Sequence, residues 1–243
     1  MKKSSVEVVV PIFNEEKELA DSVKKLRSYL SKNLTSFKWH ITIADNASTD
    51  NSLSIAKSLA KTLSGVGFLY LPEKGRGRAV KTAWGKSACD YLAYTDVDLS
   101  TDLKNLPPML HALSNGYDIA IGSRLLAQSK VVKRPLKREI LSRGYNILIR
   151  FLFGVRFSDA QCGFKAVTRR VVKELIPYIV DDAWFFDSEL LIVADKSGYK
   201  IYEEPVYWID NPGSTVRVLG TVTGDLMGLW RLITTRPWRK INV

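Results

Sequence analysis

The chain has 243 residues, 46% of them hydrophobic, which is enough to bury one large core or two small ones, and its two cysteines are too few for a disulfide framework or a thiolate metal site. Its net charge of +11 points to nucleic acid until it is mapped: residues 130–156 hold eight Lys/Arg and one Glu, residues 217–243 hold five Lys/Arg and one Asp, and the remainder sums to zero. Both patches interleave bases with Trp, Phe, Leu and Ile, the composition of a surface that lies on anionic lipid, so a DNA- or RNA-binding protein is the disfavoured, non-enzymatic alternative.

The β-branched run Val6-Glu7-Val8-Val9-Val10-Pro11 predicts a strand, and Asn14-Glu15-Glu16 opens a helical pattern with Leu19, Val23, Leu26 and Leu30 on one face. The plan repeats with an apolar segment at 39–44, turn chemistry from Asp45 to Asp50, and a helix over 53–63. A third strand at 66–71, a helix from 77 or 78 to 88, a fourth strand at 91–95, a helix opening near Pro107-Pro108 and a fifth strand at 117–122 follow. This alternation predicts βαβ units, hence a mainly parallel sheet flanked by helices, with ligands outside the carboxyl ends of the strands.

After Ser123-Arg124 the rhythm stops. Residues 125–160 read as a basic amphipathic insertion in which Leu136, Ile140, Leu141, Ile147, Leu148 and Phe151 are spaced for a helix. A helix at 169–175, another opened by Trp184-Phe185-Phe186-Asp187, a last strand over 200–209 with Pro205 favouring an edge or bulge, and an amphipathic helix over 221–235 complete the chain. The expected organisation is one catalytic domain, 1–216, with a C-terminal basic helix and tail, 217–243. No run reaches the ~18–20 apolar residues of a membrane span. Membrane contact is therefore expected to be peripheral, or to depend on a partner subunit that supplies the span. The start of the chain lacks a signal pattern, so a cytoplasmic location is expected.

Asp96 and Asp98 end the fourth strand one residue apart, so both face one site while Val97 faces back. Two carboxylates suit a hard divalent ion completed by substrate phosphates; solvated acids in a turn are the plain alternative. Asn14-Glu15 and Asp45 follow other strand ends and converge on the same sheet edge. The run Gly75-Arg76-Gly77-Arg78-Ala79-Val80-Lys81-Thr82 resembles a P-loop only superficially, since Val80 stands where the second glycine belongs. It reads equally well as a plain turn or as a helix start that neutralises a diphosphate. His40 and His111 have no companions at ligand spacing, which disfavours zinc and Ser-His-Asp chemistry.

Taken in order, Val9-Val10-Pro11-Ile12-Phe13-Asn14-Glu15-Glu16, the Asp45 to Asp50 turn, Gly75-Arg76-Gly77, Asp96-Val97-Asp98 and Ser123-Arg124 resemble the motifs of family 2 glycosyltransferases, which have the GT-A fold. Asp159-Ala160-Gln161-Cys162-Gly163-Phe164-Lys165 and Trp184-Phe185-Phe186-Asp187-Ser188-Glu189 are similar to the subgroup acting on polyprenyl phosphates, above all dolichyl-phosphate β-glucosyltransferases and then dolichyl-phosphate mannose synthases. The resemblance implies that Pro11, Phe13, Asn14, Glu15, Arg76 and Gly77 line the donor pocket and that Asp45 reads uracil or guanine. It further implies that Asp96 and Asp98 hold Mg2+ or Mn2+, and that Arg124, Arg143 and Lys165 meet the acceptor phosphate or the leaving diphosphate. Asp159 and Asp187 are the candidate carboxylates for a sugar-hydroxyl acceptor; Gln161, Asp187 and Glu189 are supporting residues. Asn46, Ala47 and Arg76 depart from the usual acid, glycine and lysine at their positions.

The implied donor is a nucleotide sugar, UDP-glucose before GDP-mannose, and the implied acceptor a polyprenyl phosphate, with a saccharide as the alternative. Displacing a nucleotide diphosphate calls for cationic stabilisation of the leaving group. A lipid phosphate is already anionic and needs no strong base, whereas a sugar hydroxyl needs a placed carboxylate.

Overall fold

The computed structural model describes residues 3–210 and 218–241; the expected domain boundary at 216/217 and Arg217 of the second basic patch lie outside them. Its strands are β1 (Ser5–Ile12), β2 (Lys38–Asn46), β3 (Val66–Leu71), β4 (Tyr91–Thr95), β5 (Ile119–Ser123), β6 (Lys130–Val132), β7 (Phe164–Thr168), β8 (Ile201–Pro205) and β9 (Tyr207–Ile209). The α-helices are α1 (Leu19–Asn33), α2 (Ser52–Thr62), α3 (Arg76–Lys86), α4 (Leu106–Ser114), α5 (Leu136–Phe153), α6 (Arg169–Glu174), α7 (Phe186–Lys196) and α8 (Val218–Thr235).

Side-chain alternation along the strands sets the layers. In β1, Val6, Val8, Val10 and Ile12 enter one hydrophobic cluster with Leu19, Val23, Leu26 and Leu30 of α1, while Val9 enters the opposite one. In β4 the order is complementary, with Leu92 and Tyr94 on one side of the sheet and Ala93 on the other. Helices α1, α2 and α4 therefore cover one face, and α3, α5, α6, α7 and α8 supply the other cluster, in which α8 is anchored through Leu229 and Leu232. The seven-stranded sheet has the order β3-β2-β1-β4-β7-β5-β8. Every pairing is parallel except those of β7, which runs antiparallel to both β4 and β5.

Two features differ from the sequence expectation. Residues 164–168 form a strand, although Lys165 breaks the apolar run, because the ammonium is satisfied inside the protein. The single strand expected over 200–209 is divided at Val206: β8 stays at the edge of the main sheet, and β9 leaves it to pair with the short β6 of the basic insertion. Because β7 is reversed, its N-terminal end lies beside the carboxyl ends of β4 and β5, with Phe164 opposite Thr95 and Lys165 opposite Ile121. The segment 159–163 is thereby delivered to the edge where Asp96 emerges.

Candidate active site

Each of the three site loops turns through a left-handed residue that is not glycine: Asn14 (φ 57) after β1, Ala47 (φ 67) after β2 and Leu99 (φ 49) after β4. Such backbone costs of order 1–3 kcal/mol per residue and persists only where surroundings fix it. Here they do. The Asn14 side chain accepts from the Thr49 amide at 2.8 Å and its own amide donates to the Ser48 hydroxyl at 3.0 Å, while the Glu15 amide donates to Ser52 at 2.7 Å. Asn46 binds a third loop into the set, donating to the Ile12 carbonyl at 2.6 Å and accepting from the Gly75 amide at 3.0 Å. Pro11 is buried beneath this corner, and the ammonium of Lys74 lies 3.7 Å above the Phe13 ring. Asp45 is fully buried; one carboxylate oxygen accepts from the Ser48 amide and the other has no hydrogen-bond partner among the described residues, so it remains available to a donor such as a base N–H.

The acids cluster electrostatically. Burial, reinforced by Glu18, Asp98, Asp50 and Asp96, pushes the Glu15 carboxyl up to about 7. Burial and the neighbouring Asp96 also raise Asp98, whose oxygens are oriented by the Ser100 amide and hydroxyl at 3.0 and 2.6 Å. A divalent ion would relieve this crowding, and the all-oxygen donor pair fits Mg2+ or Mn2+. Among the described residues no group of three or more His, Cys, Asp or Glu gathers to hold a metal, so the remaining ligands would be phosphate oxygens and water. Asp96 also explains Gly163: a Cβ there would fall 1.8 Å from its Oδ2.

Behind the acids lies a buried charge network. Arg76 bridges Asp96 (2.7 Å) and Asp187 (2.5 Å), and Asp187 also takes the Lys165 ammonium at 2.8 Å and the Tyr94 hydroxyl. Burial opposes ionisation of Asp187, but Lys165 and Arg76 hold its carboxyl below the usual range. Lys165 is 0% exposed and its other bonds go to the Cys162 and Ala160 carbonyls at 2.6 and 3.1 Å. Lys165, expected at a phosphate, here shapes the 159–163 segment from within. Arg124 is likewise committed, gripping Asp159 through Nε and Nη2 at 2.8 and 2.9 Å. This pair holds the buried Asp159 down at about 2 against its own desolvation, so Asp159 is unsuited to act as a base.

Gly77 has a packing role at the start of α3. A Cβ there would meet Phe186 Cβ at 2.6 Å, and its amide donates to the Ala183 carbonyl, so it lets α3 start against the approach to α7. Arg143 projects from α5, largely in solvent, and pairs with Glu139 one turn back. Glu189 is buried and clamps Arg231 of α8 at 3.0 Å. Sequence reasoning missed Asp225. It is buried on α8, accepts from Gln161 Nε2 at 3.0 Å, leaves Oδ1 without a partner among the described residues, and burial raises its carboxyl to about 6. Its spacing from Leu229 and Leu232, four and seven residues on and on the buried side of the helix, was the available signal. Asn146 of α5 was also missed; its side chain accepts from the Ala160 amide at 2.8 Å.

A mainly parallel α/β sheet whose carboxyl edge gathers an Asp-x-Asp pair and three polar loops defines a GT-A glycosyltransferase domain. The chain belongs to glycosyl transferase family 2, whose family model matches residues 7–176. It is 31% identical over 237 residues to glycosyltransferase AglD of Haloferax volcanii, covering 96% of this chain and 38% of that protein. It is 32% identical over 220 residues to dolichyl-phosphate beta-glucosyltransferase of Dictyostelium discoideum, covering 85% of this chain and 67% of the relative. The fold matches glucosyl-3-phosphoglycerate synthase of Mycobacterium tuberculosis in complex with UDP, with a TM-score of 0.68 at 19% identity over 96% of this chain and 80% of that one. The same enzyme in complex with Mn2+, UDP and glucosyl-3-phosphoglycerate gives 0.67 at 18% identity, over 95% and 80% of the two chains.

Proposed function

We propose that this domain is an inverting, metal-dependent hexosyltransferase that moves glucose from UDP-glucose to a polyprenyl phosphate of the dolichyl class, working at the cytoplasmic face of a membrane that it touches peripherally. One observation carries the reading. Helix α5 holds the 159–163 segment of the site through Asn146 on its buried side, while its other side exposes Leu136, Ile140, Ile147 and Phe151 among Lys137, Arg143 and Arg150. A single helix thus joins a lipid-compatible surface to the carboxyl edge. No helix among the described residues is long and apolar enough to cross a membrane, which is consistent with contact from one side. The relatives named dolichyl-phosphate beta-glucosyltransferase support glucose, and the neighbour that binds UDP and Mn2+ supports the donor and a divalent ion.

In this reading Asp45 accepts from the base, the loop at Asn14 and Glu15 shapes the nucleoside pocket, and Asp96 and Asp98 hold Mg2+ or Mn2+. When bound, the ion neutralises charge developing on the leaving diphosphate. The acceptor phosphate arrives already anionic, so the absence of a free, placed base at Asp159 is no obstacle. In-line attack gives a β-linked product from an α-linked donor. Arg143 and the other exposed bases of α5 are the cations left to guide the lipid phosphate. Labelled UDP-glucose and GDP-mannose, each with Mn2+ or Mg2+ and short polyprenyl phosphates, test this directly. Transfer from UDP-glucose to the lipid is the expected result; a preparation that binds UDP yet transfers no sugar to any lipid phosphate overturns it.

A further inference from the structure

Arg76 begins α3 directly after Gly75, a helix start at which a diphosphate would be well placed. Its guanidinium instead divides between two carboxylates of different character. Nη1 holds Asp187, whose side chain is 4% exposed, whereas Nε and Nη2 both reach Oδ1 of Asp96, at 3.2 and 2.7 Å, and that side chain is 45% exposed. The guanidinium plane is also packed between the rings of Tyr94 and Trp184, at 5.0 and 5.2 Å. Tyr94 is buried and Trp184 is exposed, so the stack reaches from the core to solvent. The inner edge of the fork is therefore fixed, and the outer edge faces a carboxylate that solvent can replace.

Asp96 is correspondingly crowded. The two N–H groups use Oδ1, and Oδ2 is pressed against the Gly163 backbone, where even a Cβ would fall 1.8 Å away. A carboxylate oxygen has two lone pairs to offer. A divalent ion that uses Asp96 must displace the outer N–H groups of Arg76 or share the carboxylate with a cation at close range.

We propose that Arg76 is a competing counterion for Asp96, which neutralises it until a nucleoside diphosphate gives the outer edge of the guanidinium a second anion, and so makes divalent-ion binding conditional on the nucleotide. This rests on the reading of Asp96 and Asp98 as the metal-holding pair. The coupling is reciprocal: whatever factor the nucleotide adds to metal affinity, the metal adds to nucleotide affinity. Arginine suits the role where lysine would not, since one planar fork can keep Asp187 while its other edge changes partner.

Equilibrium binding of Mn2+, followed by the electron paramagnetic resonance signal of the free ion, tests this without turnover. Wild-type protein should bind Mn2+ weakly alone and at least about tenfold more tightly with saturating UDP. Arg76→Gln should bind Mn2+ alone about tenfold more tightly than wild type, and the gain from UDP should shrink. Arg76→Lys, which keeps the charge and one contact to Asp187, should fall between the two and serves if the glutamine variant is poorly folded. Arg78→Gln removes the same charge from the same helix, where the guanidinium meets Asp182 and Glu73 rather than Asp96. Unchanged or weaker Mn2+ binding by both Arg76 variants without UDP overturns the proposal, as does an equal gain in Arg78→Gln. Failure of wild type to bind Mn2+ even with UDP overturns the metal-site reading and this inference with it, a distinct result.

Discussion

At the inner edge of the sheet Arg76, Arg124 and Lys165 are each held by a buried carboxylate, Asp187 or Asp159. On the outer side of α5, Lys137, Arg143 and Arg150 stand in solvent among apolar side chains, with Phe151 85% exposed. The same residue types serve two purposes. Inner cations are fixed at short range and set the position of acids and backbone; outer cations keep their reach and can meet an anionic surface. A cation near a site is therefore not a substrate ligand by default, and burial of its partner is what separates the two cases.

This contrast can be broken by separating chemistry from surface attachment. Asp98→Ala should reduce kcat by about 1000-fold, through loss of charge stabilisation at the leaving group, and leave vesicle sedimentation unchanged; retained turnover would remove the acids from the mechanism. Lys165→Met leaves Asp187 buried with a partner missing, and denaturant unfolding should show a loss of about 3–5 kcal/mol. If that variant instead folds normally and only its acceptor KM rises, Lys165 belongs with the outer cations. Ile147→Glu and Phe151→Glu should each weaken binding to anionic vesicles by about 1.5–3 kcal/mol, the value of a buried apolar side chain, with UDP affinity unaltered. Equal vesicle binding would detach α5 from the membrane role.

The smallest effect concerns Asp225. Its folded carboxyl is raised from 3.8 to about 6, so the native state binds the extra proton and stability falls as pH rises across that window. Asp225→Asn should match wild type below that window and exceed it by on the order of 1–3 kcal/mol at pH 7. A difference that does not vary with pH would show that Asp225 is not strained by its charge.

The convergence of these loops on one sheet edge was legible because each follows an apolar run: Asn14 and Glu15 after β1, Asp45 after β2, Asp96 and Asp98 after β4. Strand direction and pairing place them without further information. The ion pairs of Lys165 and Arg124 were not legible, for the opposite reason. Their partners, Asp187 and Asp159, are brought to them by a helix distant in sequence and by the approach to a reversed strand, and no local periodicity encodes that. Asp225 was hidden because an acid on an amphipathic helix is ordinarily counted with the solvent face.

The reversal of β7 also bears on the order in which this chain can assemble. Strands β1 to β4 complete one half of the sheet from residues 5–95, whereas the seam that joins them to β5 needs Ala166 to arrive beside Ala93, after the whole basic insertion has been made. Contacts so distant in sequence close slowly. Asp96 leaves the first half, and Gly163, against which it packs, arrives only with the second. The newborn chain can thus complete the corner of Asn14, Asp45 and Gly75 well before Asp96 acquires its final surroundings, which come with the closing of one central strand.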